Sequence, residues 1–370
     1  MPEEVGKVPP GRRRLRRSLS GHGRERAPRP AGVGGRLLVL ALVAVVLAAC
    51  GVGRGTGSGG TRPPSAGTGR ARAEHPADSS DAVRSQRSGG GSGQSGAQGI
   101  RTLQLTLVDP PEGDRPALRV PTTVWLPAGR SGRPAPLVVF APGYLQCPGQ
   151  YASLLRSWAM AGLVVAAVSF PATSCGAAPG EEWTVLWQPG ELAFVAAVLE
   201  QASATGTPGG GALRGRLVPG ELAVAGHSDG ADAAAAAAFD TATLDPAFRA
   251  ALVLAGAQLA SYGGSWFPPG SPPLLVVQGT ADTVNPPAAA SQLYQADTAG
   301  TRALLWLQGA GHFAPYEGSD PAEQVVAEAT TDFLRWALEG DQAAARDLRD
   351  LSGVPGVQLQ LGGDLAAAGP

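Results

Sequence analysis

Leu222–Phe239 reads LAVAGHSDGADAAAAAAF, and this stretch decides the fold. Leu222–Ala225 is an uninterrupted apolar run, the mark of a strand covered on both faces. Ala231–Phe239 is dominated by alanine, the strongest helix former. Between them lies Gly226-His227-Ser228-Asp229-Gly230, a G-x-S-x-G motif in the strand-turn-helix context it requires. A turn this tight holds its serine in a strained backbone conformation, and glycines flank it because a Cβ would clash. Ser228 is thereby lifted above the sheet at a helix N-terminus, whose dipole favours developing negative charge. Ser228 is the candidate nucleophile; a glycine-rich turn without chemistry is the alternative, and the flanking strand and helix weigh against it.

The same alternation runs outward in both directions. Thr102–Val108 alternates apolar and polar residues, and Val120–Leu126 is a second strand in which Pro121 suggests an edge position. Buried-strand runs follow at Leu137–Phe140, Leu163–Val168, Ala251–Leu254, Leu274–Val277 and Ala303–Leu307. Helical patterns separate them at Tyr151–Ala161, Glu191–Ala202, Pro287–Ala296 and Ala322–Leu338. Two leading strands, then strand and helix in turn, predict an α/β fold: a mostly parallel central sheet, antiparallel at its N-terminal edge, with helices on both faces. One domain over 100–339 accommodates this, and the Gly- and Ala-rich tail 340–370 is left unassigned.

The nucleophile needs a base. Of four histidines, His22 and His75 lie before the domain and His227 adjoins Ser228 on a turn that points neighbours apart. His312, in the glycine-rich loop after the last predicted strand, is left. Asp282 follows the strand Leu274–Val277 at the same rim and is the candidate orienting acid. Asp240 and Asp245 lie beyond the elbow helix, and Glu317 and Asp320 enter the last helix. A tetrahedral intermediate needs N–H donors. The amide of Asp229 follows the nucleophile, and the loop Ala141-Pro142-Gly143-Tyr144 offers Tyr144, since Pro142 has no N–H.

These segments, in this order, resemble the α/β-hydrolase superfamily. Within it they are similar to bacterial serine esterases of the dienelactone-hydrolase-like, platelet-activating-factor-acetylhydrolase-like and cutinase/polyester-hydrolase-like groups. The resemblance covers about residues 115–338 and implies a carboxylic ester hydrolase, an esterase or lipase acting through Ser228, His312 and Asp282, with Tyr144 and Asp229 as the oxyanion hole. Asp229 stands where polyester hydrolases carry an apolar Met, and a carboxylate there disfavours an anionic substrate. A peptidase, an acyltransferase and a non-catalytic protein of the same fold are the other readings. In such a sheet the strands before Cys147 and Cys175 are neighbours, which implies a Cys147–Cys175 disulfide rather than two separate buried thiols. Trp183, Trp187, Tyr262, Trp266 and Phe267 either line an acyl or alcohol site or pack the core.

Net charge hides an asymmetry. Residues 1–99 hold 16 basic and 6 acidic residues, the remainder 13 and 24, for a sum of −1. Leu37–Ala49 is an apolar run of 13 residues, short of the roughly 20 a membrane span needs and sized for a signal-peptide core. Leu47-Ala48-Ala49-Cys50 resembles the lipobox of bacterial lipoproteins, which implies cleavage before Cys50 and a lipid anchor on its thiol. The expectation is a signal peptide over 1–49, a disordered Gly/Ser/Arg linker over 50–99 and an exported domain at the outer face of the cytoplasmic membrane, or secreted. The polar stretch before the apolar run is long, and a start at Val33 would shorten it. Arginines without interleaved aromatics do not read as a nucleic-acid site. Two histidines in the domain and no H-E-x-x-H make a metal site unexpected. No dinucleotide motif follows the first strand, so no cofactor is expected. The expected partner is a small-molecule or lipid ester, met by a monomer.

Overall fold

A computed structural model describes residues 99–111, 117–127, 133–177, 180, 182–207, 211–318 and 320–367. The expected signal peptide, Cys50 and the expected linker lie outside the described residues, as does the side chain of Trp183. Among the described residues nine strands form one sheet: β1 (Ile100–Asp109), β2 (Leu118–Pro127), β3 (Ala135–Ala141), β4 (Val164–Val168), β5 (Leu217–His227), β6 (Phe248–Leu254), β7 (Leu274–Gly279), β8 (Arg302–Leu307) and β9 (Val357–Gly362). Their order is β1-β2-β4-β3-β5-β6-β7-β8-β9. The pairs from β4 through β8 are parallel, and β1–β2, β2–β4 and β8–β9 are antiparallel.

The helices are α1 (Ala152–Met160), α2 (Gln188–Thr205), α3 (Asp229–Phe239), α4 (Pro287–Ala296), α5 (Ala322–Glu339), α6 (Gln342–Asp350) and α7 (Asp364–Ala367). They lie on both faces of the sheet, as right-handed crossovers between parallel strands require. One face packs α2, α3 and α4 against residues such as Leu137, Val139 and Val224. The other packs α1, α5 and α6 against the alternate residues Val138, Phe140 and Ala225. The apolar runs have no polar alternation because both sides of these strands are covered. Helix α3 is buried from Gly230 to Phe239, and its alanines allow close approach to the sheet.

Two sequence expectations change. Pro121 does not mark an edge: β2 lies between β1 and β4. The Pro121 carbonyl accepts from Ser169 N at 2.8 Å, just past the β2–β4 register, which begins at Thr122–Val168. A residue's N and C=O face the same neighbour, so the missing N–H falls where that ladder has ended. The unassigned tail supplies α6, β9 and α7, and β9 closes the far edge against β8. Asp341 caps α6, accepting from Ala343 N and Ala344 N.

Candidate active site

Strand β5 ends at His227 and α3 begins at Asp229, leaving Ser228 alone in the turn with φ 54° and ψ −127°. A positive φ is costly for a residue with a Cβ and persists only when its surroundings enforce it. Here Ser228 N donates to Leu254 O of β6 at 3.0 Å, and Ser228 O accepts from Ala231 N and Asp232 N. A Cβ on Gly226 would overlap the Gly230 carbonyl, and one on Gly230 would overlap the Ala141 and Pro142 carbonyls. The motif's two glycines therefore let the turn fold on itself and let the loop after β3 lie against it.

The loops after β7 and β8 reach the same rim. His312 Nε2 lies 3.0 Å from Ser228 Oγ, and His312 Nδ1 lies 2.8 Å from Asp282 Oδ2. Asp282 Oδ1 also accepts from Val284 N and Asn285 N, at 2.8 and 2.9 Å. Burial works to raise the Asp282 pKa. The hydrogen bond and charge of His312, the Val284 amide and the Gln278 amide outweigh it and hold the carboxyl below its usual range. An ionised Asp282 keeps the His312 proton on Nδ1 and turns Nε2 toward the serine. The competing acids do other work. Asp240 binds Ala242 N and Gly264 N beyond the far end of α3, Asp245 binds Ala247 N, and Asp320 binds Ala322 N at the start of α5. Burial raises the Glu317 pKa, with the charge of His312 opposing.

In the loop after β3, Gly143 N–H donates to Tyr151 Oη at 3.2 Å and Leu145 N–H to Thr173 O at 2.6 Å, while Pro142 has no N–H. A Cβ on Gly143 would come within 3.2 Å of Ser228 Cβ, so this loop and the elbow are in contact. Tyr144 is buried in a small apolar cluster with Val284, Leu145 and Phe313. Asp229 is half-buried at the first position of α3. Cys147 and Cys175 are disulfide-bonded, with Cα atoms 5.1 Å apart. The bond joins the loop after β3 to the segment after β4, where Cys175 N also donates to Gln146 O.

Trp266 and Phe267 pack on the α3 side of the core, with Phe239 and Phe267 ring centroids 4.8 Å apart. Tyr262 is buried, its hydroxyl directed to Val185 O. Trp187 lines a cleft of about 30 Å³ with Phe170, Gln188 and Glu191, a lining that does not include Ser228. Sequence reasoning missed Gln278, whose Nε2 donates to Asp282 Oδ2 at 2.9 Å and tethers the acid loop to the end of β7. It also set aside His227, whose fully buried ring binds Tyr151 and the His312 backbone. Burial, then the nearby His312, lower the His227 pKa to about 3. No group of metal-ligating side chains occurs among the described residues.

Residues 221–322 match the family model of the FSH1 serine hydrolases. The match is to a serine hydrolase domain of the α/β-hydrolase type, and the mostly parallel sheet is consistent with that superfamily. The matched stretch runs from β5 to the start of α5 and takes in the elbow and the loops of Asp282 and His312. No curated protein matches the chain. The matched segment contains Ser228, Asp282 and His312, while the loop after β3 and the disulfide lie ahead of it.

Proposed function

We propose that this serine hydrolase is an extracytoplasmic carboxylic ester hydrolase working through an acyl-enzyme on Ser228. The observation that carries the reading is the Ser228–His312–Asp282 chain, at 3.0 and 2.8 Å, on a serine strained into the elbow conformation. Ser228 Oγ attacks the ester carbonyl carbon while its proton passes to His312 Nε2. The carbonyl electron pair moves onto oxygen, where the Tyr144 and Asp229 amides receive it. Collapse breaks the C–O bond to the alcohol, which leaves with the proton from His312. Water, deprotonated by His312, then attacks the acyl carbon, and the acid leaves as Ser228 regains its proton. Asp282 stays ionised and steadies the imidazolium. No cofactor takes part.

The apolar run Leu37–Ala49 followed by Cys50 supports a lipoprotein signal peptide with the domain tethered outside the membrane. A disulfide beside the active site fits an oxidising compartment. The substrate class is a small-molecule or lipid ester. Turnover of p-nitrophenyl esters of graded chain length, with Ser228→Ala as control, tests the reading. Turnover lost in Ser228→Ala, with wild-type Ser228 labelled by a fluorophosphonate, is the expected result. Neither labelling nor turnover in the wild type would overturn it.

A further inference from the structure

The residue before the nucleophile is a histidine that the reaction does not use. Its ring is fully buried, 4.7 Å from the His312 ring and 4.8 Å from that of Tyr316. Its partners assign every proton. Gly143 N–H donates to Tyr151 Oη at 3.2 Å, so the tyrosine proton is free to point elsewhere. Tyr151 Oη lies 2.8 Å from His227 Nδ1 and donates to it. The ring proton is then on Nε2, which donates to the His312 carbonyl at 2.8 Å. Each donor meets one acceptor along the whole chain.

The ends of this chain matter more than its middle. One end is the Gly143 amide, next to the Tyr144 amide that the proposed mechanism uses as an oxyanion donor. The other is the backbone of His312, from which the base projects. These loops leave β3 and β8, with β5, β6 and β7 between them. A Cβ on Gly143 would come within 3.2 Å of both His227 Nδ1 and Ser228 Cβ, so the loop that the ring holds lies against the nucleophile. The two loops also meet through the apolar cluster of Tyr144, Leu145, Val284 and Phe313; the hydrogen-bonded chain adds direction to that contact, and misplacement by about 1 Å costs about 100-fold in rate.

We infer that Tyr151 and His227 are positioning residues, a buried strut that sets the oxyanion loop and the base loop in one frame around Ser228. This rests on the serine-hydrolase mechanism proposed above. The strut must also be uncharged. When His312 accepts the serine proton, a second cationic imidazole at that ring distance would oppose it. Burial of His227 keeps its ring neutral.

The test uses Tyr151→Phe, which keeps the ring against Phe140 and deletes only the hydroxyl. It adds His227→Phe, His227→Gln (an uncharged acceptor and donor) and the double variant Tyr151→Phe/His227→Phe. Two readouts are taken per folded molecule: kcat and KM on a p-nitrophenyl ester, and the rate at which a fluorophosphonate labels Ser228. Tyr151→Phe and His227→Phe should each lower kcat and labelling rate by about 10- to 100-fold, with KM within about twofold of wild type. The double variant should be no worse than the worse single one, because both cut the same chain. His227→Gln should recover most of the loss. If His227→Phe does not fold, Tyr151→Phe against His227→Gln keeps the comparison. A folded Tyr151→Phe with wild-type kcat and labelling rate, or a loss confined to KM, overturns the strut alone. A wild-type chain that is labelled but hydrolyses no ester overturns the ester assignment, and the labelling rates still decide the strut. A wild-type Ser228 that is never labelled overturns the mechanism, and the strut with it.

Discussion

Breaking the Cys147–Cys175 bond should cost stability without disabling the site. The perturbation is the double variant Cys147→Ser/Cys175→Ser, or the wild type in reductant. The cysteines are 28 residues apart. Closing such a loop removes about 12 cal/mol/K from the unfolded chain, roughly 3.6 kcal/mol near room temperature. A domain of roughly 270 residues unfolds with an entropy of about 0.57 kcal/mol/K, so the melting temperature should fall by about 6 °C. In the folded state the same two segments stay joined by Leu145 N to Thr173 O and Cys175 N to Gln146 O. The loop after β3, the proposed oxyanion loop, therefore keeps two ties when the sulfurs part, and kcat per folded molecule should stay within about twofold. Thermal melts followed by circular dichroism give the first number, and ester turnover normalised to fluorophosphonate-reactive serine gives the second. A shift under about 2 °C, or a preserved melting temperature with kcat collapsed, would refute the reasoning. Either result would mean that the bond acts on the native loop and not on the freedom of the unfolded chain.

Other expectations follow from single contacts. Gly230→Ala places a methyl into the Ala141 and Pro142 carbonyls and should cost about 3 kcal/mol or more in urea unfolding; Gly311→Ala, with nothing within 4 Å of the new Cβ, should cost under about 1 kcal/mol. Asp282→Asn should lower kcat by about 10,000-fold, since the amide no longer selects the productive imidazole tautomer. Because the folded Asp282 pKa is depressed, its contribution to stability is present above its unfolded pKa and lost as pH falls through the folded one; the Asn variant should show a smaller stability loss on the acid side. His227 goes the same way from the opposite charge type. Its pKa falls from 6.5 to about 3 on folding, so the unfolded chain binds the extra proton between those values and stability drops as pH falls. Urea unfolding of wild type and His227→Gln should differ in that window by a slope of about 1.4 kcal/mol per pH unit, and parallel curves would contradict a neutral buried ring.

Much of this architecture was legible because the relevant signals are local. Runs such as Leu137–Phe140 and Leu274–Val277 announce two covered faces by lacking alternation, and the structure gives each a strand in the parallel sheet. Gly226 and Gly230 announced the elbow, because only a residue without a Cβ fits there. Where the reading failed, the signal was short or depended on neighbours. Val357–Leu361 alternates as VQLQL, a strand pattern of five residues inside a tail whose Gly and Ala content obscured it. Pro121 was read as an edge residue because its N–H is missing. Whether that matters depends on which residue of β4 faces it, and the β4 ladder ends one step earlier.

By itself the sequence determined the kind of fold and the chemistry-bearing candidates. Hydrophobic period, turn residues and the scarcity of histidine are properties of segments, and each segment carries its own. Tertiary structure alone decided which groups meet. His312 finds Ser228 across 84 residues and Asp282 across 30, and His227 finds Tyr151 across 76. Those separations close only because β3, β5, β7 and β8 lie in one parallel order with their carboxyl ends at one rim. The distinction has a physical basis. A side chain's preference for strand, helix or turn is set by its own bonds and immediate neighbours. A hydrogen bond between distant loops depends on the register and order of every strand between them.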